Sequence, residues 1–178
     1  MKKSFILSAI LWSQIGLCQN FYQGATTVAG DKEVYSVAKT SHGSYGEYIV
    51  RNVKNSVLGT PVCYADGTEV KNLTRLGAIP EEYDFKEAAE AVFTMYEIQK
   101  LKARKIGISI IVAVSPKTCR TLEMEFRIPN DSVICNIFTP KKLEQFERAC
   151  IQNMRWIFPP NHPQVNYVWM SSGYFGSL

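Results

Sequence analysis

The stretch "GISIIVAVS", Gly107 to Ser115, constrains the fold more than any other part of the chain. Ile108 to Val114 is nearly all apolar. A short apolar run between a glycine and the Ser115-Pro116-Lys117 turn reads as a strand covered on both faces. The segment after the turn, residues 119–127, alternates Leu122, Met124 and Phe126 with charged residues. That pattern predicts a half-buried partner strand.

Helical patterns flank this hairpin. "DFKEAAEAVFTMYEIQKLKARK" opens with Asp84 as N-cap and Glu87 three residues later, a capping-box arrangement. Phe85, Ala88, Val92 and Met95, widened by Ala89 and Tyr96, predict one helix running to the basic cluster Lys100, Lys102, Arg104 and Lys105. Those cations suit the negative end of a helix dipole. Thr139 caps a second helix with Pro140 at its first position. Its stripe is Leu143, Phe146, Cys150 and Ile157, flanked by Ala149 and Met154, and Pro159-Pro160 is expected to stop it. "HPQVNYVWMSSGYF" then supplies a last strand with Tyr167 and Trp169 on one face. The order from Asp84 is helix, strand, strand, helix, strand, an α+β layer in which two helices cover one face of an antiparallel sheet.

Residues 19–83 form a β-rich segment. "KEVYSVAK" and "GEYIVRNVK" are β-leaning, "SHGSYG" is a loop between them, and Asp66-Gly67 marks a hairpin turn. The expected division is therefore a leader at 1–18, a β-rich segment at 19–83 and an α+β domain at 84–178.

"MKKSFILSAILWSQIGLCQN" reads as a secretory leader, with Lys2 and Lys3 before an apolar core from Phe5 to Leu17. That core is about 13 residues against the roughly 20 needed to cross a bilayer, so no stable transmembrane span is expected. Gly16 and Cys18 occupy the −3 and −1 positions of a cut before Gln19. A lipid anchor on Cys18 is the alternative, against which Leu17 stands. The product is expected in the periplasm or outside the cell. Without the leader's two lysines, 18 Lys+Arg face 16 Asp+Glu, a charge of about +2. That balance is too weak for a nucleic-acid partner. Cys63, Cys119, Cys135 and Cys150 would remain, with three possible pairings and no C-x-x-C to indicate a zinc or thioredoxin-type site.

The segments "RKIGISIIVAVSPKTCRTLEMEF", "LEQFERACIQNMRWIFPP" and "VNYVWMSSGYF" together resemble the C-terminal domain of TonB and its relatives. Trp156, Phe158 and Pro160 stand at that family's Trp-x-Phe/Tyr-x-Pro motif, and Gly107 stands at its glycine before the first strand. The resemblance spans roughly residues 84–178. It implies recognition of an extended peptide or envelope protein by strand addition along Val165 to Met170, with Val165, Tyr167 and Trp169 as contacts. The family's turn glycine is missing, Lys117 and Thr118 occupying the area, and the membrane helix and proline-rich arm of its energy-coupling members have no counterpart here. On the motif residues themselves the physical reading is architectural: Trp156 and Phe158 bury apolar area against the sheet.

No catalytic set emerges. His42 and His162 are isolated, Cys119 with His42 is an arbitrary pair, and Ser44 lacks a Gly-x-Ser-x-Gly elbow. Neither a phosphate loop nor metal-ligand spacing is present, so no cofactor or metal is expected. The expected function is a non-catalytic binding module of a bacterial envelope. The alternative is a small secreted hydrolase or ligand-binding protein with its site between the N-terminal segment and the C-terminal domain.

Overall fold

The computed structural model describes residues 20–41, 46–72, 77–81, 83–105 and 107–174; the expected leader at 1–18, His42 and Ser44 lie outside them. Among the described residues the chain begins with β1 (Thr27–Ala29), β2 (Val34–Thr40), β3 (Glu47–Asn52) and the two-residue β4 (Ile79–Pro80). Helices α1 (Phe85–Glu90) and α2 (Met95–Arg104) precede the hairpin β5 (Ile108–Ser115) and β6 (Arg120–Pro129). Then follow α3 (Ser132–Ile137), α4 (Pro140–Asn153), the two-residue β7 (Trp156–Ile157) and β8 (Val168–Tyr174). The fold is α+β.

β5 pairs antiparallel with β6 on one side and with β8 on the other. The N-terminal strands continue the same sheet: β3 pairs with β6 from Glu47↔Pro129 to Arg51↔Glu125, and β2 and β1 follow. The six-stranded order is β1-β2-β3-β6-β5-β8, so strands from both sides of Asp84 share one antiparallel sheet. β4 and β7 form a separate two-stranded ladder.

β5 is covered on both faces, as its composition demands. One row across the sheet runs Val37↔Val50↔Phe126↔Ile110, all buried beneath the helices. Leu143, Phe146, Cys150 and Met154 of α4 and its C-cap are fully buried there. The Phe146 ring lies 6.1 Å from Phe126, 6.1 Å from Phe93 and 6.5 Å from Phe85. On the opposite face Ala113 packs with Leu58, Val62, Val70, Tyr167 and Val168. The segment after β3 thus folds back over the sheet as a second, irregular layer. Its Asp66-Gly67 turn is tight: Gly67 takes φ +86, and the Tyr64 N–H donates to the Thr68 carbonyl at 2.8 Å.

Three expectations are corrected. The helix predicted from Asp84 is two helices. The Asp84–Glu87 box caps only α1, and Thr94 with Glu97 makes a second capping box that starts α2. The break rotates the stripe, so Met95 and Tyr96 are exposed while Ile98 and Leu101 are buried. Likewise, the prolines do not stop α4. It ends at Asn153 because Met154 turns extended at ψ 135, and Trp156-Ile157 then pairs with Ile79-Pro80, leaving Ile157 exposed. Finally, β6 is not half-buried. Ala113 pairs with Glu123 and Val114 with Thr121, so Leu122 is the extra residue of a bulge. Glu123 and Glu125 are buried under the returning segment. The Glu123 carboxylate accepts the backbone N–H groups of Val57 at 2.9 Å and Leu58 at 2.8 Å, and Glu125 accepts from Arg51 Nε at 3.0 Å.

Phe146 joins α1, the turn after it, α4 and the sheet. Phe146→Ala is expected to cost about 3–5 kcal/mol of unfolding free energy, measured by urea denaturation with an unchanged slope.

Candidate functional site

Two surfaces combine exposure with unusual chemistry. The first is the β8 edge. β8 hydrogen-bonds only to β5, from Ile108↔Tyr174 to Val114↔Val168, and its outer edge pairs with no strand among the described residues. Its described sequence carries neither charge nor proline, the usual guards of an edge strand. Trp169 is 44% exposed.

The expected anchors lie on the same side of the sheet, since Trp169 stands opposite Ala113, which packs with Val165 and Tyr167, but they differ in burial. Tyr167 precedes the strand, is buried, and donates its hydroxyl to the Thr60 carbonyl at 2.6 Å. Val165 is also buried and bridges Tyr64. The strand begins three residues later than Val165, and the Cys63–Val70 segment holds what comes before it. Of the three expected contacts, Trp169 alone is available.

Of the motif residues, Gly107 immediately precedes β5 and Trp156 is a core residue, its indole N–H donating to Thr121 Oγ1 at 2.9 Å. Phe158 is half-buried against both cores, and Pro160 is exposed. Phe158 and Pro160 line an apolar groove of about 370 Å³ with Ala78, Ile79 and Ile157. This groove adjoins β8, since the Ala78 N–H donates to Met170 Sδ at 3.3 Å.

The second surface is a cleft of about 540 Å³ between the N-terminal strands and α4. The β1–β2 turn contributes Lys32 and Glu33, β3 and its exit contribute Asn52 and Lys54, and the β6 bulge contributes Leu122. α4 adds Glu144, Glu147, Arg148, Ile151 and Gln152. Sequence reasoning missed the two buried acids. The signal was there: Glu147 lies four residues after Leu143 and three before Cys150, so it falls on the apolar stripe.

Their environments differ. Burial works to raise the Glu144 carboxyl, but the N–H groups of Lys32 at 2.9 Å and Glu33 at 3.2 Å, together with Arg148, outweigh it and hold the group below its ordinary range. A Cβ at Gly30 would stand 2.3 Å from Glu144 Oε2, so a larger residue there has to displace the carboxylate. Glu147 goes the other way. Burial pushes its carboxyl above the ordinary range, and neighbouring Glu33 and Glu144 add to the rise. The Tyr35 hydroxyl at 2.6 Å and the Asn52 amide at 3.4 Å both donate to Glu147 Oε2 and oppose it only in part.

The remaining candidates do not assemble. Cys119 sits in the β5–β6 turn at φ +53, and His162 lies edge-on to Phe158 at 4.7 Å with neither ring nitrogen bonded among the described residues. Neither residue lines the polar cleft. All four described cysteines are free thiols; burial pushes Cys135 up to about 11 and Cys150 further. Among the described residues no three metal-ligating side chains converge, and no helix is long and apolar enough to cross a membrane.

The fold has a counterpart among solved structures. The chain is similar to a crystal structure of a DUF5043 family protein from Bacteroides uniformis, with a TM-score of 0.66 and 17% identity over 85% of each chain. That likeness establishes the fold alone. No family model matches the sequence, and no curated protein matches it.

A carboxyl raised by folding stabilises the protein below its unfolded pKa, and that contribution is lost as pH rises through the folded pKa. Glu147→Gln is therefore expected to gain stability relative to the native protein as pH increases. Paired urea denaturations near pH 4 and pH 8 check this; a variant that loses ground with pH would mean that Glu147 is ionised and paired.

Proposed function

We propose that this chain is an exported, non-catalytic binding module that recognises an extended segment of another envelope protein by strand addition along β8. The single observation that carries the reading is the position of the N-terminal strands. They extend the sheet from β6, the opposite side, and leave β8 as an edge. A seven-residue edge without charge or proline offers its backbone groups to an incoming strand, whose hydrogen bonds supply affinity while side-chain pockets supply specificity. Trp169 beside that edge and the apolar groove at Ile79, Ile157 and Phe158 are the specificity elements in this reading. The leader at residues 1–18 supports export, and the TonB-like motif supports the mode of recognition. Energy coupling is not part of the proposal.

A photo-reactive phenylalanine analogue at position 169, activated in cells, tests it. The expected result is one dominant adduct to an extended segment of another envelope protein. Ser171→Lys, which puts a charge on the exposed edge without touching the core, is expected to abolish the adduct while leaving the unfolding midpoint unchanged. Adducts confined to the same chain would mean that the edge is already filled, and would overturn the reading.

A further inference from the structure

The polar cleft beneath the β1–β2 turn is chemically unfinished. Most of its charges are consumed locally. Lys54 pairs with Glu33 at 2.8 Å, Arg148 pairs with Glu144, and Glu123 is taken up by the backbone of residues 56–58. Glu147 is different. It is 4% exposed, no cation lies within ion-pair range of it among the described residues, and both of its hydrogen bonds fall on Oε2. Oε1 therefore has no hydrogen-bond partner among the described residues, while the residue lines an open cleft.

A desolvated carboxyl either stays neutral or takes a positive partner. Although Lys54 and Arg148 pair with Glu33 and Glu144, both acids still act on Glu147 as like charges, so the spot disfavours an anionic ligand and suits a cation. The aliphatic side chains of Leu122 and Ile151 line the same cleft, and about 540 Å³ suits a small molecule. Leu122 is there because of the bulge, which lies outside the regular β5–β6 ladder.

We propose that this cleft binds a small aliphatic amine, its ammonium group on Glu147 Oε1 and its carbon chain against Leu122 and Ile151. The site is separate from the β8 edge and does not depend on strand addition.

Calorimetric titration of the full mature chain with putrescine tests it, with butanediol of the same chain length as the neutral match. The expected result is saturable single-site binding of the diamine and none of the diol. Glu147→Gln keeps a side chain able to bond Tyr35 and Asn52 but removes the charge, and is expected to weaken binding about tenfold or more. Leu122→Arg, at a position already 38% exposed, places a tethered cation in the cleft and is expected to compete to the same extent. It also decides the matter if the first variant fails to fold. The proposal is overturned by an absence of saturable binding up to about 10 mM putrescine, by equal binding of the diol, or by full affinity in a folded variant of either kind.

Discussion

The β3–β6 ladder is the interaction on which the rest of the structure depends. Its five Cα pairs, Glu47↔Pro129 to Arg51↔Glu125, join residues some eighty positions apart into one sheet. They bury the outer side of β6, which would otherwise be an open edge next to a fully apolar row. They also fix what is left over. With one end of the sheet extended toward β1, β8 remains as the long edge. The same ladder brings Tyr35 and Asn52, paired across β2 and β3, under Glu147 of α4. Both candidate surfaces are consequences of one long-range pairing, which has to close a long loop before it yields any contact.

That pairing was the part the sequence could not reveal. Ile108–Val114 declares its own burial, and the Asp84–Glu87 and Thr139–Pro140 signals declare helix starts, because each is local chemistry. Nothing local in "GEYIVRNVK" says that its partner is β6. Other misses had signals that were outweighed. Thr94 and Glu97 spell a second capping box, but an unbroken apolar stripe from Phe85 to Met95 suggested continuity. Pro159-Pro160 looked like the end of a helix that had already ended at Asn153, where Met154 turns extended and leads into the tertiary ladder between β7 and β4. Trp169 was legible as an edge aromatic; Tyr167 was not separable from it, because the hydroxyl acceptor at Thr60 lies more than a hundred residues away.

The second face of the sheet shows why alternation misleads when polar partners are available. Glu123, Glu125 and Arg127 read as solvent-facing, and on an uncovered sheet they would be. Instead the chain after β3 returns across them, and each buried acid is satisfied: Glu123 by backbone amides, Glu125 by Arg51 and Arg127. Burying a carboxylate is tolerable once donors surround it. The returning layer is therefore held by fixed-geometry hydrogen bonds as well as by Leu58, Val62 and Val70. A solved structure with 17% identity has a similar fold, so the fold as a whole is compatible with very different sequences.

The bulge in β6 has one more implication. Thr121 and Glu123 point to opposite faces although they are two residues apart, and their partners Val114 and Ala113 are consecutive. The ladder is in frame on either side of Leu122 and steps over it. Strand pairing, both hydrophobic cores and the two buried hydrogen-bond systems would keep their register if the chain were one residue shorter at this point. Leu122 is thus a spare letter in an otherwise complete word: the scaffold does not need it, and what it adds is a wall of the cleft.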